Sequence, residues 1–232
     1  MTAHMETRPN DFDAILFDAG GILVLPDPTV LGPLLQYYGG DPSIERHVRA
    51  HYHAMAVKSS ARSGEGFWDE YDLAYVESVG VATQDRVAAA QLLGRTRNAL
   101  LWRWPIPESM EVLRELERRE VPIGVVSNAS GQIEEVLSRS GVCQVGGGRG
   151  CSMLVIVDSH LVGFTKPDPR IFDVALEHFP EIARERIAYI GDSVTMDVEG
   201  GRAAGLHPIL LDPFDDHEGA DFDRIHSLRD LL

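Results

Sequence analysis

Short apolar runs recur along the chain, and each stops at a polar residue or a turn. Ala14-Ile15-Leu16-Phe17 stops at Asp18 and enters Ala19-Gly20-Gly21. Val121 to Val126 stops at Ser127-Asn128, Met153 to Val157 at Asp158, Ile187 to Ile190 at Gly191-Asp192, and Ile209 to Leu211 at Asp212. Apolar runs this short, bounded by turn residues, predict buried strands. Helical patterns lie between several of them. Met110, Leu113 and Leu116 share one face over Pro107 to Arg119, with Pro105 and Pro107 as start signals. Ile133, Val136 and Leu137 mark a second helix that Gly141 can stop. Ile171, Phe172, Ala175, Leu176 and Phe179 mark a third, and Val194 to Ala204 a small-residue fourth.

This alternation predicts an α/β fold: a Rossmann-like parallel sheet with helices on both faces. Residues 27–104 break it. They read as mostly helical without a convincing strand, Leu34, Leu35 and Tyr38 on one face and Phe67, Tyr71 and Tyr75 on another. Gly64-Glu65-Gly66 marks a loop inside, and Trp104-Pro105-Ile106-Pro107 closes the insertion. The expected division is a core of residues 11–26 and 105–232 with a helical insertion at 27–104. Val145 to Gly150 is glycine-rich but lacks the Lys-Ser/Thr of a P-loop, so a flexible connection is expected there.

Composition narrows the function. With 21 Lys+Arg against 36 Asp+Glu the net charge is −15, which disfavours nucleic acid and anionic membranes as partners. An anionic substrate would need local positive potential from a metal, a lysine or backbone N–H groups. No apolar run approaches the roughly 18 residues that span a bilayer. Residues 1–11 lack the features of a signal peptide and read as a short disordered lead-in to a cytoplasmic protein. Cys143 and Cys151 have no metal-ligand partner at a recognised spacing and are expected to be inert thiols. Lys58 and Lys166 are the only lysines.

In an open parallel sheet, ligands bind at the carboxyl ends of the strands. Asp18, Ser127-Asn128, and Asp192 with Asp197 fall at such ends, and Lys166 lies in the loop Thr165-Lys166-Pro167-Asp168-Pro169. A single strand-end Asp would be an ordinary turn residue; four separate segments of this chemistry are much rarer by chance. Asp18 and Asp192 can supply hard oxygen ligands to Mg²⁺. Asp18 can also act as a nucleophile and form an aspartyl-phosphate. Lys166 and the metal would screen nucleophile and phosphate from each other, while Ser127 and the Asn128 N–H would hold phosphate oxygens.

The order and spacing of these segments resemble the haloacid dehalogenase superfamily. Phe17-Asp18-Ala19-Gly20-Gly21 is similar to its first motif, Val125-Val126-Ser127-Asn128 to its second, Lys166-Pro167-Asp168-Pro169 to its third, and Gly191-Asp192-Ser193 with Asp197 to its fourth. Residues 27–104 occupy the position of its helical C1 cap, which closes over the site and selects substrate. The resemblance implies that Asp18 is nucleophile and metal ligand, that Asp192 is the second carboxylate ligand, and that the Gly20 carbonyl joins them. It gives Asp197 the orienting of the metal's waters and of Lys166.

Gly20 departs from that pattern. Phosphatases of the superfamily usually carry an Asp there, which protonates the leaving oxygen and then activates water. That help is typically worth about 10²–10⁴-fold. Glu65, Asp69, His51 and His53 are the candidates to replace it from the insertion, although each also reads as a solvated residue. Three readings therefore stand: a Mg²⁺-dependent phosphatase for a small phosphorylated metabolite, a phosphonatase-like or dehalogenase-like hydrolase, and a non-catalytic phosphate-binding or interaction protein. Dehalogenases lack the second Asp but usually place an aromatic residue there and work without Mg²⁺. A phosphonatase would need a Schiff-base lysine, for which Lys58 is the candidate. His47 and His51, four apart, have a metal-binding spacing, and Trp68, Tyr71 and Tyr75 could line the mouth of the cap or pack its interior.

Overall fold

Successive residues of a strand point to opposite faces, and Ala14 to Phe17 uses both. Ile15 and Phe17 join one hydrophobic cluster, Ala14 and Leu16 another. A strand buried on both faces reads as an unbroken apolar run, which is why the sequence signals it so clearly. The computed structural model describes residues 12–232. The expected disordered lead-in over 1–11 lies outside the described residues.

The strands, in chain order, are β1 (Ala14–Phe17), β2 (Val24–Pro26), β3 (Trp102–Pro105), β4 (Ile123–Ser127), β5 (Cys143–Val145), β6 (Cys151–Met153), β7 (Val155–Asp158), β8 (Ile187–Gly191), β9 (His207–Leu211) and β10 (Asp223–Ile225). The helices are α1 (Pro28–Gln36), α2 (Ile44–Ser60), α3 (Asp69–Ser78), α4 (Arg86–Thr96), α5 (Pro107–Arg118), α6 (Ile133–Arg139), α7 (Ser159–Val162), α8 (Arg170–Leu176) and α9 (Glu199–Ala203). Six strands form one sheet in the order β10-β9-β8-β1-β4-β7, and every pairing in it is parallel. The order reverses beside β1, which puts a crevice at the carboxyl ends of β1, β4 and β8.

Val112, Leu113 and Leu116 of α5 and Ile133 and Leu137 of α6 cover one face of the sheet. Ile171, Phe172 and Ala175 of α8 cover the other. Burying each large side chain contributes about 1.5–3 kcal/mol relative to leaving it exposed. Gly141 follows α6 at φ 72°, the left-handed conformation that ends a helix cheaply only for glycine.

Helices α1 to α4 form a second layer with its own core, including Leu35, Ala54, Tyr71, Tyr75, Val76 and Leu93. Contrary to the expectation for 27–104, this segment contains strand residues. Trp102 to Pro105 pairs antiparallel with β2, so the chain enters and leaves the helical layer through one two-stranded ribbon. The strand is short and half-exposed and it ends in proline, which hid it from a reading by apolar runs. Phe67 is 71% exposed and precedes α3, so it does not share a buried face with Tyr71 and Tyr75.

The glycine-rich Val145 to Gly150 segment is a bend between β5 and β6, which pair in parallel with Cys143 opposite Cys151. The Gln144 side chain donates to the Gly146 and Gly150 carbonyls and accepts from the Gly150 N–H. Both thiols are buried and free. Burial pushes Cys143 up to about 12, which suits inert thiols. The start of the small-residue helix after Asp192 is a π-helical turn, Val194–Val198, running into α9. Among the described residues, no helix is long and apolar enough to cross a membrane.

Candidate active site

The ends of β1, β4 and β8 bring Asp18, Ser127 and Asp192 to one edge of the sheet. Two glycines make room for the carboxylates. A Cβ on Gly21 would stand 1.9 Å from Asp192 Oδ2, and φ there is +73°. A Cβ on Gly191 would stand 2.2 Å from Asp197 Cγ. Any side chain at either position would displace an acid of the cluster.

Lys166 ties the carboxylates together. Its ammonium lies 2.9 Å from Asp18 Oδ1, 2.7 Å from Asp197 Oδ1 and 2.9 Å from the Tyr189 hydroxyl. Burial alone would push the lysine's pKa down, but the charges of Asp18 and Asp197 outweigh it and hold the group above its ordinary value. Asp18 shows the opposite balance. Burial is the largest effect on it, and with the charges of Asp197 and Asp192 it outweighs Lys166, raising the carboxyl to about 7. The Asn128 amide brackets the Lys166 peptide, accepting from its N–H at 2.8 Å and donating to its carbonyl at 3.2 Å. The second and third sequence segments are thereby locked to each other.

Oxygen atoms of Asp18, Asp192 and Asp197 all lie within 4.8 Å of one another, and the three residues are buried. Such a set of hard oxygen donors fits a divalent cation such as Mg²⁺. The hydrogen bonds sort the three. Asp197 accepts through both oxygens, Oδ1 from Lys166 and Oδ2 from the Ser193 N–H. Asp18 accepts at Oδ1 from the Ala19 N–H and Lys166, and Asp192 at Oδ2 from His51. Among the described residues, Asp18 Oδ2 and Asp192 Oδ1 carry no hydrogen bond. Those two atoms are free to take a cation, while Asp197 is already engaged in holding Lys166.

The helical layer closes the crevice. Arg49 of α2 makes a bidentate pair with Asp216, in the loop after β9, at 2.5 and 2.8 Å. Tyr52 donates to the Gly21 carbonyl at 2.7 Å. Between the two layers lies a cavity of about 350 Å³. Asp18, Ser127, Asn128, Lys166, Asp192 and Asp197 line its sheet side; Met55, Lys58, Glu65, Trp68, Arg97 and Trp102 line its helical side.

The residues offered as replacements for an acid at position 20 separate here. Asp69 is exposed at the start of α3 and does not line the cavity. His53 lies near Asp216, on the outer side. His51 is buried between Tyr71 and Asp192, at 3.0 and 2.9 Å, behind the cavity. Glu65 lines the cavity and accepts from the Asn128 amide at 3.0 Å. His47 and His51 bond different tyrosines, Tyr75 and Tyr71, and do not converge on one point as a metal pair. Lys58 donates to the Gly64 and Phe67 carbonyls at 2.9 and 2.6 Å and lies 4.0 Å above the Trp68 ring.

A family model for the haloacid dehalogenase-like hydrolases matches residues 12–205. The chain belongs to that family. It is 34% identical over 109 residues to haloacid dehalogenase-like hydrolase domain-containing protein 3 of Bos taurus, covering 47% of this chain and 40% of that protein. It is 30% identical over 162 residues to a phosphoserine phosphatase of Thermus thermophilus, covering 68% and 60%. The chain thus matches less than two thirds of the length of these curated relatives. Among solved structures, Bacillus subtilis YfnB bound to magnesium superposes with a TM-score of 0.57 at 20% identity, covering 97% of both chains; at that identity the likeness is one of fold.

Within this haloacid dehalogenase-like hydrolase, the departure at Gly20 has a structural counterpart that the sequence did not reveal. A Cβ on Gly20 would lie 3.0 Å from Trp102 Cζ3 and 3.2 Å from Cε3. A side chain there would press on the indole of β3, which would have to give by a few tenths of an ångström. Trp102 also packs edge-on to His51 and Trp68, so it is wedged in place. No spacing rule links residue 20 to residue 102; only the pairing of β2 with β3 brings them together.

Proposed function

We propose that this chain is a Mg²⁺-dependent phosphatase that removes phosphate from a small phosphorylated metabolite, with Asp18 as nucleophile. The observation that carries the reading is the buried set Asp18–Lys166–Asp197 beside Asp192, with Ser127 and Asn128 on the same cavity wall. The roles follow from the chemistry of each group. Asp18, Asp192 and the Gly20 carbonyl would hold the cation, which when bound offsets the charge of phosphate and carboxylates. Asp18 attacks phosphorus, and the ester oxygen leaves. Ser127 and the Asn128 N–H hold phosphate oxygens as charge develops. Lys166 offsets charge at Asp18 and the phosphate, and Asp197 fixes Lys166. Residues 27–104 act as a cap that encloses the leaving group and sets specificity.

The phosphoserine phosphatase relative supports phosphate-ester chemistry over dehalogenation, as does the acidic cluster. The disposition of Lys58 speaks against the phosphonatase-like alternative, because its amino group is engaged by two backbone carbonyls. A screen of phosphate esters with Mg²⁺, including acetyl phosphate and p-nitrophenyl phosphate, tests the reading. Turnover that chelation and Asp18→Asn both abolish supports it. Mg²⁺ binding without turnover of any ester would favour a non-catalytic phosphate-binding protein.

A further inference from the structure

With Trp102 in the space beside Gly20, the proton for the leaving group has to come from elsewhere. Of the titratable groups that line the cavity among the described residues, Asp18, Lys166, Asp192 and Asp197 form the acidic cluster and its counter-charge. Arg97 is paired with Asp72, and Lys58 is engaged by two carbonyls. Glu65 remains. It faces the acidic cluster from the helical side of the cavity, where an enclosed leaving group would lie. We propose that Glu65 is the general acid–base residue of this enzyme, supplied by the cap in place of the missing acid at position 20; this rests on the phosphatase reading.

The loop that carries Glu65 is fixed. The Lys58 ammonium donates to the carbonyls on both sides of it, Gly64 and Phe67, and Ser63 donates to Glu70 at 3.0 Å. Asn128, whose amide also brackets the Lys166 peptide, holds Glu65 Oε2 from the sheet side. The acid is thus referenced to the same residue that positions Lys166. Its surroundings act on it in both directions, and burial is the largest influence. Burial raises Glu65 from its ordinary value, opposed by the Asn128 hydrogen bond and the charges of Lys166 and Lys58, and reinforced by Asp197. An upward shift is the direction that helps a carboxyl serve as a proton donor.

The two half-reactions balance. As the Asp18 carboxylate forms its bond to phosphorus and the ester P–O bond breaks, the Glu65 proton passes to the departing oxygen. An alcohol leaves, and Glu65 becomes a carboxylate. Water then attacks the phosphorus of the aspartyl-phosphate and gives its proton to Glu65. The bond from phosphorus to Asp18 breaks, releasing inorganic phosphate and regenerating both groups.

Glu65→Gln keeps an oxygen to accept from Asn128 but carries no transferable proton. Its kcat/KM should fall roughly 10²–10⁴-fold on glycerol 2-phosphate, whose alkoxide leaves poorly. It should fall less than about tenfold on p-nitrophenyl phosphate, whose leaving group needs no proton. The variant should also show a burst of p-nitrophenol, because water attack on the phosphorylated enzyme loses its base. The high-pH decline of the wild type on glycerol 2-phosphate should disappear. An equal loss of kcat/KM on both esters would overturn the proposal and leave the phosphatase reading intact, as would no loss on either. A wild-type enzyme inert on every ester would overturn both.

Discussion

Lys166 in the sheet layer and Lys58 in the helical layer are the chain's only lysines, and they are 2% and 1% exposed. Their surroundings differ in kind. Lys166 meets two carboxylates, which hold its pKa above the ordinary value despite burial. Lys58 meets two carbonyls and a tryptophan face, and burial leaves its pKa lowered. Paired with charges, the first offsets the negative charge of a cluster that, on the proposed function, would otherwise repel an incoming phosphate. Paired with backbone, the second holds a loop. The sheet layer supplies electrostatics, and the helical layer supplies shape and, on our proposal, a proton.

The largest expected effect lies on the sheet side. Asp18→Asn should reduce phosphatase turnover on the order of 10⁴-fold or more while the protein stays folded, as steady-state kinetics and circular dichroism would show. Replacing the lysines in turn separates the layers. Lys166→Met leaves Asp18 and Asp197 without their cation, and breaking a buried pair this way costs about 3–5 kcal/mol. Lys58→Met removes hydrogen bonds from a charged donor, worth about 1.5–3 kcal/mol each at most. Two such bonds are lost in Lys58→Met, so denaturant unfolding should show the two variants destabilised to a similar extent. The kinetic split should be sharper, with Lys166→Met inactive on every ester and Lys58→Met impaired mainly on alkyl esters, where Glu65 matters. Equal kinetic profiles for the two variants would erase the distinction.

Magnesium provides a smaller effect with a defined sign. In the metal-free protein, Asp18 keeps its proton up to about pH 7, whereas the unfolded chain loses it near 3.8. Asp18's contribution to stability therefore declines as pH rises between those values. A cation needs the carboxylate, so Mg²⁺ displaces that proton. Saturating Mg²⁺, about 100 times Kd, should add ~2.7 kcal/mol. The accompanying rise in Tm should be largest above pH 7 and shrink toward pH 5.5. A rise that grows as pH falls would contradict Asp18 as a ligand. The smallest effect concerns position 20. Gly20→Asp alone should gain little on alkyl esters, because its Cβ would crowd the Trp102 ring at 3.0 Å. Combined with Trp102→Ala it should restore part of the activity lost in Glu65→Gln.

The sequence disclosed these two layers unequally, for a physical reason. β1, β4 and β8 are buried, so their apolar runs mark their ends, and a parallel sheet brings those ends to one edge. Asp18, Ser127 and Asp192 could therefore be placed together from their positions in the chain. The helical layer has no such rule. Lys58, Glu65, Trp68 and Trp102 reach one cavity through helix packing and a four-residue ribbon strand, and none stands at a position that periodicity singles out. Glu65 could be named only as one of several acids and histidines, and His51, named beside it, is held behind Asp192. The fit of Trp102 against Gly20 had no sequence signal, because it depends on a strand too short and too exposed to register.

The most direct test is to catch phosphate on the nucleophile. The protein would be mixed with Mg²⁺ and acetyl phosphate or p-nitrophenyl phosphate, quenched in acid within a turnover, and its peptides mapped by mass spectrometry. A single phosphoryl group on the peptide containing Asp18, released by hydroxylamine, absent from Asp18→Asn and more abundant in Glu65→Gln, is the expected result. Turnover without that adduct, or with phosphate on any other residue, would contradict a phosphatase built around Asp18.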